Sequence, residues 1–117
     1  MGVLAQYGKP MWSSVVTLTN AAPSVVAVTP VAGAWTDVYA VQISANDTNT
    51  NTVTITDGAT TLTYLVGGNA GGANPPVFDQ GTIPVRFRTG TAITVASTGV
   101  TSGKNVQVSL RGLFSKS

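Results

Sequence analysis

Four aspartates, Asp37, Asp47, Asp57 and Asp79, are the only acids in the chain, set against three lysines, three arginines and no histidine or cysteine. Carboxylate catalysis of the glycosidase kind needs two acids held within several ångströms of each other, one with a raised pKa. Asp57 is accounted for by an Asp57-Gly58 turn and Asp47 by a polar loop, which leaves Asp37 and Asp79 as a pair that nothing else supports. A serine nucleophile without histidine would need a lysine base, and Lys9, Lys104 and Lys116 all fall in loops or at the termini. Thiolate chemistry, disulfides and the usual zinc ligand sets are excluded by composition. The expectation is a protein that is not an enzyme and holds no cofactor.

Asp47-Thr48-Asn49-Thr50-Asn51 has the alternate-oxygen spacing that opens a calcium loop. The position that requires Gly for the turn is Thr52, and the twelfth, which supplies a bidentate Glu, is Gly58. A solvated Thr/Asn turn is expected instead of a metal site. Asn46-Asp47-Thr48 also fits the glycosylation triplet, but no secretion signal accompanies it. Trp12, Trp35, Tyr39 and Tyr64 have the chemistry to stack on sugar rings. Trp35, Tyr39 and Tyr64 belong to alternating strands, so filling a core or an interface is the simpler use, and Trp12 is the better exposed anchor. Arg86 and Arg88 share parity on an expected edge strand, where they would meet carboxylates of a neighbouring protein or guard the edge.

The elements that carry these residues read as β throughout. Val15, Val16, Thr17 and Leu18 precede a turn at 20–23, and Val25, Val26, Ala27 and Val28 run up to Pro30. Branched residues between turn signals suit a pleated, half-buried surface. From Trp35 to Ala45 the chain alternates, with Tyr39, Val41, Ile43 and Ala45 expected on one face and Val38, Ala40, Gln42 and Ser44 on the other. A hairpin is predicted over 53–66 around Asp57-Gly58. Residues 67–74, rich in Gly, Ala and Asn, run into Pro75 and Pro76 as the most conspicuous loop. Val77-Phe78, then Ile83, Val85 and Phe87 with Pro84 marking an edge or bulge, then Ile93 and Val95, continue the pattern. The last strand, 105–113, sets Val106, Val108 and Leu110 against Gln107, Ser109 and Arg111.

With 117 residues, 43% hydrophobic and only 9% charged, the chain has enough apolar surface for one modest core and too little charge for a disordered segment. A net charge of +2 with a pI near 9.3 reflects few charges, since only Arg86 and Arg88 are close neighbours. That argues against nucleic acid as a partner. No stretch reaches the roughly 20 apolar residues of a membrane helix. The expected architecture is all-β, an antiparallel β-sandwich or jelly roll at 13–117, preceded by an extended N-terminal arm at 1–12 that contains Lys9 and Trp12.

Across residues 35–113, the Tyr39-Ala40-Val41-Gln42-Ile43 strand, the Asp57-Gly58 hairpin, the loop ending Asn74-Pro75-Pro76, Thr91-Ala92-Ile93-Thr94-Val95 and Asn105-Val106-Gln107-Val108-Ser109-Leu110 form Thr-, Ala-, Gly- and Val-rich text poor in charge. In architecture and composition it resembles the small all-β decoration, or cement, proteins of tailed-bacteriophage capsids. The resemblance implies a protein synthesised in the host cytoplasm that adds to an assembled shell, commonly as a homotrimer, and resides on the virion surface. It implies an arm that grips the major capsid protein, which places Lys9 and Trp12 at the contact, with Asn74 and Pro75 of the loop and the Arg86/Arg88 face as further contacts. Another virion component, such as a tail, fibre or head-to-tail piece, and a carbohydrate-binding or adhesin-like module fit the same β text.

Overall fold

A computed structural model describes residues 11–68, 74–80 and 84–116. Nine strands are present among them: β1 (Met11–Thr19), β2 (Ser24–Val28), β3 (Ala34–Ala45), β4 (Thr50–Thr56), β5 (Thr61–Gly67), β6 (Val77–Asp79), β7 (Val85–Phe87), β8 (Ile93–Ser97) and β9 (Asn105–Lys116). One sheet has the order β1-β9-β3-β6, with β7 also on β3, and the other runs β2-β8-β4-β5. All pairings are antiparallel. No helix of the described residues is long and apolar enough to cross a membrane.

The pairings are nested. β4 pairs β5, β3 pairs β6 and β7, β2 pairs β8, and β1 pairs β9. The chain is one long antiparallel hairpin whose tip lies at 57–60 and whose arms are rolled into two facing sheets, with β6 and β7 acting as one interrupted strand. This is jelly-roll topology, the expected fold class.

Period-two alternation turns Val16 and Leu18 of β1, Val106, Val108 and Leu110 of β9, Val53 and Ile55 of β4 and Ile93 and Val95 of β8 into the space between the sheets. Leu18, Val53, Ile55, Ile93, Val95, Val106 and Val108 are completely buried. Fully burying side chains of this kind stabilises the fold by about 1.5–3 kcal/mol each.

Three expectations are corrected. Met11 and Trp12 belong to β1, so the first strand begins before residue 13, and residues 1–10 lie outside the described residues. In β3 the register with β9 shifts between Val38 and Ala40, a bulge that moves the inward face from Thr36 and Val38 to Val41 and Ile43. Tyr39 is the extra residue and is exposed, not on the face of Val41 and Ile43. The third correction concerns Asp47, which is buried at the end of the core instead of lying in a solvated turn.

Candidate functional site

Asp47 follows β3, at the end of the sandwich where the 20–23, 46–49 and 98–104 connections meet Gly68 and Asn74. Its Oδ1 accepts the Asn49 N–H at 3.0 Å and the Thr101 hydroxyl at 2.7 Å; its Oδ2 accepts the Thr101 N–H at 2.8 Å and the Asn51 amide at 3.3 Å. Asn51 shares the inward parity of Val53 and Ile55, which carries its amide to the carboxylate and to the Thr98 carbonyl, 2.9 Å away. The Asp47 carbonyl accepts the Gly68 N–H and, at 2.9 Å, the Asn74 amide. Asn20 donates to the Val100 carbonyl at 2.9 Å. One aspartate and its neighbours therefore clasp the three connections together with Gly68 and Asn74. Gly67, at φ +78°, completes the clasp, because a Cβ there would come within 2.5 Å of the Asn49 carbonyl oxygen.

The oxygens whose spacing suggested calcium thus accept protein N–H and O–H groups. Burial alone would raise the Asp47 carboxyl, but the donors from Thr101, Asn49 and Asn51 outweigh it and bring the pKa from 3.8 down to about 2. A carboxyl depressed on folding contributes stability above its unfolded pKa and loses that contribution as pH falls through the folded value. The urea midpoint is expected to hold from pH 7 to about 4.5 and then drop between pH 4 and pH 2, with the share owed to this carboxyl removed in Asp47→Asn. A midpoint unchanged at pH 2.5 would contradict this role.

The other carboxylates are also engaged by their own chain. Asp57 lies at the hairpin tip, accepting the Ala59, Thr60 and Arg88 N–H groups at 2.7–2.8 Å. Burial opposes its ionisation, while these donors and the Arg88 charge lower its pKa. Arg88 also reaches the Asp57 carbonyl at 3.0 Å. Asp37, 3% exposed, takes a two-pronged contact from Arg86 at 2.8 and 3.0 Å and the Ser115 hydroxyl at 2.6 Å. The Arg86 guanidinium stands 5.4 Å over the Trp35 ring. Tyr64 donates to Asp79 at 2.6 Å, and burial followed by this bond raises its pKa.

The sequence-derived contact residues are therefore scattered. Arg86 and Arg88 do share an edge, and within the chain they pair with Asp37 and Asp57. Asn74 is tied to Ala45 and Asp47 carbonyls, whereas Pro75 is exposed. Trp12 is no exposed anchor: even positions of β1 face inward, so its ring packs against the core 6.2 Å from Phe114, with its indole N–H buried and unpartnered. Lys9 and residues 69–73 lie outside the described residues. With Trp12 turned inward and Tyr64 bonded to Asp79, the four aromatics form no common platform. Sequence reasoning missed Thr101, Asn20 and Ser115, which no motif marks.

The outward face of the β1-β9-β3 sheet carries Met11, Val15, Tyr39 and Phe78 as exposed large apolar residues. A shallow groove of about 260 Å³, lined by Met11, Tyr39, Ala40, Arg111 and Leu113 among others, runs across it. That is smaller than the roughly 300–1,000 Å³ of enclosed small-molecule sites, and it suits a protein surface better.

No protein family model and no curated protein matches the sequence. Among solved structures, a chain from the cryo-EM structure of the giant freshwater prawn Macrobrachium rosenbergii extra small virus VLP is similar over 94% of this chain and 81% of that chain. The identity is 14% and the TM-score 0.39. A score at that level carries no weight for fold or role, and the architecture given above rests on strand order alone.

Proposed function

We propose that the protein is a non-catalytic structural component of a virion, which adds to an assembled tailed-phage capsid by binding the major capsid protein and stabilises the shell. The observation that carries this reading is that all four aspartates are held by donors of their own chain. No carboxylate is left over for acid–base work, while a low-charge surface with an exposed apolar sheet face remains for partners. Burying such a surface costs little charge desolvation. Jelly rolls serve in viral capsid proteins and in lectins, so the fold accommodates this role without dictating it.

Cementing is linkage: a ligand that binds the assembled shell but not its dissociated subunits stabilises the shell by about 2.7 kcal/mol at a hundred times its Kd. Co-sedimentation with emptied capsid shells, compared with the unassembled capsid protein, is the test. Binding to shells only, with a raised shell melting temperature, is the expected result. No attachment, combined with binding on a glycan array, would replace the proposal with the carbohydrate-binding reading. The arm is assigned the capsid contact. Because Met11 and Trp12 are part of β1, deletion of residues 1–10 is expected to leave a folded sandwich that no longer attaches.

A further inference from the structure

The edges of the β1-β9-β3 sheet are unlike each other. On the far side, β6 and β7 are three residues each and flanked by Pro75, Pro76 and Pro84, with Arg86 and Arg88 alongside. These are the devices that keep a sheet edge from recruiting another strand. β1 has none of them: its nine residues contain no charge, no proline and no glycine, and among the described residues its one ladder partner is β9, with the Ser14 hydroxyl also donating to the Ala27 carbonyl of β2 at 2.6 Å.

Hydrogen-bond parity shows which backbone groups β1 presents. Asn105 turns its N–H and C=O toward Asn46, on the β3 side, so Val106, Val108 and Leu110 are the β9 residues that bond to β1. Their partners are Leu18, Val16 and Ser14. The odd residues Met11, Ser13, Val15 and Thr17 therefore point their N–H and C=O outward, as does Thr19, whose N–H is taken by the Ala22 carbonyl.

We propose that β1 pairs antiparallel with β1 of a second copy of this chain, about a two-fold axis at Val15. In that register Val15 faces Val15 and Ser13 faces Thr17 on the outward surface, while Ser14 faces Val16 and Trp12 faces Leu18 on the inward one. No charge meets another charge. The pairing is isologous, so it closes as a dimer and does not propagate.

The occupant is a second copy because the strand is complementary to itself and because its apolar surface continues beyond the edge. Met11 is 67% and Val15 61% exposed, and the Met11, Tyr39 and Leu113 groove lies directly beside them. A stable contact hides about 800 Å² per partner, which is roughly an eighth of the 6205 Å² surface of the chain. β5 is also an uncharged edge, but it is shorter and its single strongly exposed apolar residue, Leu65, sits between threonines and Gly67. The inference is independent of whether the protein serves a capsid.

The absence of cysteine makes the test free of background. Directly opposed residues of a hydrogen-bonded antiparallel pair have Cα atoms about 5.5 Å apart, within disulfide reach. Ser13 and its own copy would be four residues out of register, about 13 Å apart. Val15→Cys in the full chain is expected to form a covalent dimer under mild oxidation at least ten times faster than Ser13→Cys or Thr17→Cys alone, whereas the Ser13→Cys/Thr17→Cys double variant cross-links. Val15→Lys, at an exposed site, is expected to raise the dimer dissociation constant measured by sedimentation at least tenfold with unchanged circular dichroism. Equal cross-linking at 13 and 15, no cross-linking at 15, or an unaltered dimer in Val15→Lys would overturn the proposal.

Discussion

Gly112→Ala is expected to cost about 3 kcal/mol, a large part of the margin of a small domain. Gly112 lies on the inward face of β9, opposite Val38 at the β3 bulge and Trp12 on β1. A Cβ at this position would fall on the Asp37 carbonyl oxygen and on the Trp12 indole, whose Cε2 would be 2.7 Å away. The glycine φ is not positive here, so the constraint is space and not backbone conformation. Backbone cannot yield as a flexible side chain does, and Asp37 is further held by Arg86 and Ser115. Urea denaturation followed by fluorescence of Trp12 and Trp35 measures the loss. Ser109→Ala, on the outward face of the same strand, is the control and is expected to stay within about 0.5 kcal/mol. A loss below 1 kcal/mol for Gly112→Ala would mean that the strands separate cheaply at the bulge.

Asp47→Ala is the second large effect, expected at about 3 kcal/mol because it removes one acceptor group and strands its donors in a buried site. The Thr101 N–H and hydroxyl, the Asn49 N–H and the Asn51 amide all lose their carboxylate. The damage should be local before it is global. Amide exchange at Thr101 is expected to accelerate at least tenfold, while the amides of the Asp57 tip, at the other end of β4, keep their protection. Equal loss at both ends would make Asp47 a general contributor to stability and not the fastener of one set of loops.

Much of the fold was legible because alternation along β1, β4, β8 and β9 is uninterrupted, and a single buried face dictates register. β3 was the exception. Its extra residue, Tyr39, breaks the alternation between Val38 and Ala40, and reading straight through it put Tyr39 on the wrong face. The acids were legible as residues but not as sites: Asp47 meets Thr101 across 54 positions, Asp37 meets Ser115 across 78 and Arg86 across 49. The shared parity of Arg86 and Arg88 was visible in the sequence. What it left open was whether their carboxylates came from this chain or another, since that depends on the rolling of the sheets.

The nested pairing also predicts an order in time. The connection at 57–60 closes first, since it spans four residues, and each later rung then needs only a short further search once the rung inside it has formed. Contacts such as Met11 with Leu113, distant in sequence, become near neighbours by the time they zip. β1 is thus the last strand to dock and the first to fray. With β1 docking last, the β1 side of β9 would be open late in folding, and β1 of another copy is expected to compete for it increasingly as concentration rises. Strand exchange is accordingly the expected misfolding route, and refolding yield should fall as protein concentration rises.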